Sequence, residues 1–500
     1  MSTHLKAFIV MFVMSYALLK IMRPTMIQFI APKDYETRAR LWLILVAASF
    51  LSFDYWLYFF AAATAIYFIG RKDSNPASLY IFLLMAVPPL TKMMPGLGIL
   101  DNFFYVDQFR MLAFVILIPA ALKLYNKKGT LFEERKKTEG WRLPDFLLCS
   151  YVILQIALYF PYVSFPTSLK SAIATVLEIL LPYYVISRIS TTKSRIEDLV
   201  STLALAAILL SGVAIFENLK GWLLYADMGR NLGASSFGGY LYRGDQLRAE
   251  ATSGQAIVLG YFLSVGLGCW LHCQAASVGY RKYFALTIII GGLISALSRG
   301  PWIGAGICVI TYLLLSPNPA KKITQLVVAI TVASAVILAS PYGKKVIDYL
   351  PFVGTIDVGN ITYREAIIER AWLIIQLNPF LGSPYFQQYM EDFRTGVGVI
   401  DLLNVYLSIG MAYGLITLSV FLLFFIAPTI AALKASWTTK YIEPMYSSLG
   451  ASLIASIVGI MVIIYTTSNY LSIPIVYIAV IAMMVGYRQS RKSRLSGQPG

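Results

Sequence analysis

Apolar runs of membrane-spanning length recur from one end of this chain to the other. Crossing the hydrocarbon core takes roughly 17–25 predominantly apolar residues as a helix. Runs of that kind start near Ala7, Leu79, Met111, Leu143, Ser171, Leu199, Gly254, Tyr283, Pro301, Thr324, Leu402, Ser447 and Leu471. Leu41–Gly70 is longer than one simple span and is interrupted by Ser52-Phe53-Asp54, so it reads as one tilted helix or a short hairpin pair. A backbone in lipid must satisfy its own hydrogen bonds, which leaves helices as the solution for runs this long. The expected fold is therefore an all-α, polytopic integral membrane protein with roughly 14 transmembrane helices. It forms a single membrane domain over residues 1–500.

Only 13% of the 500 residues are charged, against about 25% in soluble domains. The net charge of +16 reflects 41 Lys and Arg against 25 Asp and Glu. Loops that set topology explain that excess first. Nucleic-acid binding needs a basic soluble face, and the sequence offers none. The run from Ala7 to Met22 ends in Lys20 and Arg23 rather than a small-residue cleavage site, so it reads as the first span. Cys149, Cys269, Cys273 and Cys308 lie in or beside apolar runs and read as small buried hydrophobes. His272 stands between two of them, but the other histidine, His4, is remote, and a metal site is not expected.

Loop charges orient the chain. Lys127, Lys128, Arg135–Lys137 and Arg142 share one connection; Arg188, Lys193 and Arg195 share another. Arg281 with Lys282, Lys321 with Lys322, Lys434 with Lys440, and the tail from Arg488 complete the set. These alternate correctly if all are cytoplasmic, which also places the C-terminus there. The Pro95–Gln108 loop, residues 218–253, the Arg299 turn and residues 341–401 then face outward. Two of these loops exceed ordinary connection length, a mark of function. The second holds an expected amphipathic helix, Tyr363–Leu377, with Ile367, Ile368, Ala371, Trp372 and Ile375 on one face.

The outer segments carry the chemistry. Arg299 sits in Ser298-Arg299-Gly300 between apolar runs, where a guanidinium is costly unless it meets a cavity, a counter-charge or an anion. A snorkelling interfacial arginine is the plainer reading. Arg243, Asp245, Arg248 and Glu250 crowd the mouth of the next span. They read either as local ion pairs, Arg243 with Asp245 and Arg248 with Glu250, or as an anion site ahead of a helix start at Thr252-Ser253-Gly254. Arg364 and Arg370 lie on the amphipathic helix, where surface ion pairs with Glu365 and Glu369 explain them equally well. Asp401 precedes Asn404 and Tyr406 at the start of a span, as helix cap, counter-ion or base. Converging arginines with few carboxylates suit a phosphorylated substrate.

Together these segments, from about Arg243 to Leu423, resemble the O-antigen ligase / O-antigen polymerase superfamily of bacterial membrane glycosyltransferases. The shared features are Arg248 leading to Gly260, the Ser298-Arg299-Gly300 turn, and Tyr363-Arg364-Glu365 leading to Pro379-Phe380-Leu381-Gly382. Asp401, Asn404, Tyr406, Leu407 and then Gly414 complete them. Many members place a histidine immediately before that Asn; here Leu403 holds the position, as in the acidic variant of exopolysaccharide-type relatives.

The resemblance implies a GT-C-like enzyme of a bacterial inner membrane. Its donor would be a glycan on a polyprenyl-pyrophosphate carrier, such as undecaprenyl pyrophosphate, and its acceptor a sugar hydroxyl at the outer face. Arg248, Arg299 and Asp401 would be catalytic. Arg243, Glu250, Arg364, Arg370, Asn404 and Tyr406 would contact substrate. Arg248 is expected to hold Glu250 ionised. No cofactor or metal is expected. Other envelope polysaccharide-assembly proteins are possible partners. The rival class is a transporter, such as a lipid-linked oligosaccharide flippase, but that class carries its charges near the midplane rather than at one face. A non-catalytic role in an envelope complex is a third reading.

Overall fold

The computed structural model describes residues 3–95, 102–128, 142–236, 238–277, 279–340, 348–349, 359–394, 400 and 402–495. It is an all-α, multi-pass bundle. Ten helices among the described residues are long and apolar enough to cross a membrane, and two shorter apolar ones, Tyr55–Gly70 and Arg299–Leu315, accompany them. By that measure the count falls short of the expected fourteen or so.

The N-terminal part holds α1 (Thr3–Met26), α2 (Pro32–Leu51), α3 (Tyr55–Gly70) and α4 (Pro76–Leu84). Leu41–Gly70 thus resolves as a helical pair. Asp54 makes the break, because its side chain accepts from Trp56 N–H and starts α3. The run beginning near Leu79 departs from expectation. Its helix α4 has only nine residues, and Pro88-Pro89 then turns the chain into β1 (Leu90–Pro95). β1 pairs antiparallel with β2 (Asn102–Asp107) and with β3 (Ser235–Ser236). This small sheet joins two of the loops placed on one side by charge.

The centre of the bundle follows: α5 (Gln108–Asn126), α6 (Leu143–Tyr159), α7 (Phe165–Ile189), α8 (Lys193–Lys220) and α9 (Ala256–Cys273). α8 and α9 are deeply enclosed. Ala206, Ala207, Gly266 and Gly268 supply the small residues that close packing in lipid requires. Then come α10 (Arg281–Ser295), α11 (Arg299–Leu315), α12 (Pro319–Ala339), α13 (Gly359–Leu377), α14 (Val405–Thr439), α15 (Pro444–Ile464) and α16 (Ile473–Leu495). α12 has no buried residue and lies on the outside of the bundle.

The basic connections gather at one end. Arg188 pairs with Asp145 at 2.7 Å, Lys193 with Glu197 at 3.4 Å, and Arg281 donates to Ile21 O. At this end also lies an ion cluster that no sequence pattern revealed. Fully buried Arg38 donates to Asp73 (2.7 and 2.9 Å), Asp198 (2.5 and 3.0 Å) and Thr202 (2.7 Å). Asn75 and Ser78 donate to the same Asp198 carboxylate. A buried ion group is tolerable only with its hydrogen bonds so filled, and it fixes α2, α4 and α8 in register.

Helix α13 matches the expected amphipathic helix but is turned from the expected face. Ile367, Ala371, Ile374 and Ile375 are buried, while Ile368 and Trp372 are exposed. Its buried face packs on Phe386, Met390 and Met411. Asn378-Pro379 ends it, and the chain doubles back onto α14. Leu415 N–H donates to Pro379 O and Ser383 N–H to Met411 O, both at 2.7 Å. Two backbones meet there because Gly382 (φ +69°) and Gly414 (φ +76°, ψ 175°) stand opposite each other. That explains the Pro379-Phe380-Leu381-Gly382 and Gly414 pattern as packing. Gly414→Ala should cost about 1–3 kcal/mol of backbone strain, with a collision against Phe380 O added. We expect a clearly lower melting temperature of the detergent-solubilised protein; an unchanged one would overturn this account.

Candidate functional site

The end of the bundle away from the basic connections brings the central arginines together. α10 and α11 are joined by a tight turn, Ala296–Ser298, and the segment 243–250 lies across it. Ala249 N–H donates to Ser295 O at 3.0 Å. Arg243 Nη1 donates to Leu297 O at 2.6 Å, and Arg248 Nη2 donates to Ser298 Oγ at 2.8 Å. Arg299 is the next residue. Its Nε and Nη2 approach the carbonyls of Tyr349 and Asp348 at 3.4 and 3.5 Å. Tyr349 OH in turn donates to Arg243 O at 2.8 Å. Three guanidinium groups from two segments thus share one turn, with a piece of the 341–401 loop over it. Arg243, Arg248 and Arg299 are all half-buried.

A third element closes the group. Thr466 would meet a Cβ on Gly300, so the α15–α16 connection packs against the Arg299 turn. From that connection Ser468 Oγ accepts Leu403 N–H at 3.1 Å, and Tyr470 OH donates to Gln255 Oε1 at 3.0 Å. Leu403 and Asn404 are thereby held beside the arginine turn.

The backbone here is strained. Five described non-glycine residues have positive φ: Ala251 (+47°), Leu297 (+46°), Leu403 (+47°), Leu471 (+53°) and Asn318 (+55°). The first four sit next to Glu250, Ser298-Arg299, Asn404 and Tyr470. Left-handed geometry costs a side chain with a Cβ roughly 1–2 kcal/mol. Such strain concentrates where geometry is held for function.

Several expected site residues have other partners. Asn404 is the N-cap of α14, accepting from Tyr406 N–H at 2.9 Å and Leu407 N–H at 3.1 Å. Tyr406 OH donates to Met461 O at 2.9 Å and ties α14 to α15. The cap that Asp401 offered in the sequence is therefore filled by Asn404, since α14 begins at Val405. Asp401 itself lies outside the described residues. Arg370 pairs with Asp392 at 3.3 Å, an exposed contact to the far side of the α13 turn. Arg364 lies half-buried near the start of α13.

Glu250 departs most from expectation. It makes no ion pair among the described residues, so Arg248 and Glu250 diverge: one reaches Ser298, the other turns inward. Its carboxylate borders a cavity of about 30 Å³ lined by Pro88, Pro89, Tyr225, Gly238 and Gly239, with Gly239 N–H at 3.3 Å. Burial pushes its pKa up to about 8, against the opposing Gly239 hydrogen bond. A second carboxylate, Glu217, explains how this segment is held. Fully buried at the end of α8, it accepts from Leu224, Glu250 and Ala251 N–H at 3.0, 3.0 and 2.8 Å. The only sequence signal for it was one acidic residue closing an apolar run.

A polytopic helical bundle that presents clustered arginines at one end defines a multi-pass membrane protein. Residues 284–422 match the family model described as O-antigen ligase, which supports the O-antigen ligase/polymerase superfamily. The match takes in the Arg299 turn, α13, Asn404, Tyr406 and Gly414; Arg243, Arg248 and Glu250 precede it. No curated protein matches the chain. In general terms the match supports an O-antigen ligase/polymerase-type role as a membrane glycosyltransferase or ligase.

Proposed function

We propose that this chain transfers a glycan from a polyprenyl-pyrophosphate carrier to a sugar hydroxyl at the outer face of a bacterial inner membrane. The observation that carries the reading is the meeting of Arg243, Arg248 and Arg299 at one turn. Breaking the glycosidic bond leaves charge on the pyrophosphate, and fixed guanidinium groups stabilise it with paired donors. That cationic role needs no metal ion. The polyprenyl chain would run along the apolar helix surfaces. The charge asymmetry of the loops supports an outward-facing site and a cytoplasmic C-terminus. A transporter is less favoured, because the arginine turn lies at a bundle end under loops rather than at mid-depth.

Lipid-linked glycan length with and without the gene tests the reading. A polymerase predicts loss of long chains and accumulation of single lipid-linked units. A ligase predicts intact long chains that fail to reach their final acceptor. Unchanged lipid-linked and finished glycans would overturn the proposal.

A further inference from the structure

The segment that presents Arg248 is held along its backbone, residue by residue. Asn218 Nδ2 donates to Leu247 O at 2.6 Å. Arg248 N–H donates to Leu241 O at 2.9 Å, and Ala249 N–H to Ser295 O at 3.0 Å. Glu250 and Ala251 N–H both donate to Glu217 Oε2, at 3.0 and 2.8 Å. Two neighbouring side chains at the end of α8 thus hold Leu247 on one side of Arg248, and Glu250 with Ala251 on the other. Glu217 is itself fixed. It is fully buried, and its Oε1 accepts Leu224 N–H at 3.0 Å. Gly221, left-handed at φ +60°, ends α8 and lets the chain turn back to bring Leu224 there. Ala251 stands at φ +47°, a geometry that costs a residue with a Cβ and persists only where partners hold it.

We propose that Glu217 and Asn218 are positioning residues for the transfer reaction, gripping the backbone on either side of Arg248 and so aiming its guanidinium at the α10–α11 turn. The inference rests on the proposed function. It extends the site to two residues that precede the family match at 284–422. The aim is exacting, because Arg248 Nη2 reaches Ser298 Oγ at 2.8 Å, beside Arg299. The residue types fit the task. Both oxygens of Glu217 accept, whereas a carboxamide has one accepting oxygen and would set its NH2 group against a backbone N–H. Asn218 supplies the reverse, an amide donor facing a carbonyl.

A double-mutant cycle on the full chain tests this, read as turnover of a lipid-linked glycan extracted from cells lacking the gene. Misplacing a reacting group by about 1 Å costs on the order of 10²-fold, so Glu217→Gln should lower kcat by about that factor with KM little moved. In an Arg248→Ala background the same substitution should cost less than about twofold, because the group it aims is gone. Asn218→Ala should follow the same pattern at smaller size, and it decides alone if Glu217→Gln misfolds. Hydrogen exchange at residues 247–251 should rise in both variants, a readout that needs no substrate. Equal losses of turnover with and without Arg248, accompanied by a lower melting temperature, would make the two residues props of the fold and overturn the proposal. Unchanged exchange would overturn it too. Full activity of Arg248→Ala would remove the positioning role together with the arginine chemistry; raised exchange in Glu217→Gln would then place the failure in the proposed function and not in the clamp.

Discussion

Arg299→Ala and Arg248→Ala should each lower turnover of a lipid-linked glycan by about 10²–10³, the usual cost of removing one donor to developing negative charge. Both guanidinium groups border the turn between α10 and α11, Arg248 through Ser298 at 2.8 Å and Arg299 from the following residue. Lysine should restore little at either position, because a point charge lacks the planar fork that holds a phosphate by two hydrogen bonds. Losses from the pair should not add, since groups sharing one anion are coupled. Arg248 also braces the turn, so a structural role must be separated from a chemical one. Ser298→Ala removes that brace and leaves the guanidinium. If Ser298→Ala matched Arg248→Ala in turnover, Arg248 would be a positioning residue and not a pyrophosphate ligand. Full activity of both Arg→Ala variants at normal expression would remove the catalytic proposal altogether.

What could be read from sequence follows from the range of the interactions involved. Apolar length is a local property, so most of the spans were legible. So was the break at Ser52–Asp54, where a capping carboxylate stands inside an apolar run. The Leu79 run misled because Pro88-Pro89 stops its helix after nine residues, and hydropathy does not register that. The arginines were legible as charges out of place in an apolar chain. Their gathering at one face was expected too, but the turn that joins them was not, because it depends on hydrogen bonds to the carbonyl of Leu297 and the hydroxyl of Ser298 across some fifty residues. The Arg38 cluster and Glu217 escaped for the same reason: each looks ordinary until its distant partners arrive. Asn404 shows a structural role that the motif did not announce. A polar residue inside a motif invites a substrate role, yet its Oδ1 is taken up by two backbone N–H groups of its own helix. Strain at Ala251, Leu297 and Leu403 could not be anticipated from residue type, since none favours the left-handed region.

Asp401→Asn should cut turnover by about 10²–10⁴, the range of general base catalysis, while Glu250→Gln leaves it within about threefold. The two carboxylates are the rivals for the acceptor hydroxyl, and the environment of Glu250 argues against it. Glu250 turns into a small apolar cavity, and burial lifts its pKa to about 8. With that pKa it is about nine-tenths protonated at pH 7, so it holds a proton where a base must be free to take one. Were it the base, kcat/KM would climb from pH 6 to pH 8 as the carboxyl ionised, and Glu250→Gln would abolish the climb. Asp401 precedes the Leu403–Asn404 segment that Ser468 anchors beside the arginine turn. In the proposed role a carboxylate opposite guanidinium charge would be ionised, ready at neutral pH but weakly basic. Such a group positions the hydroxyl and takes its proton late, as the bond to the anomeric carbon forms. The wild-type profile should then be flat from pH 6 to pH 8. Donor binding by Asp401→Asn should be unchanged or tighter, because a negative charge near pyrophosphate has gone. An inflection near pH 8 that Glu250→Gln removes, together with an active Asp401→Asn, would transfer the role to Glu250.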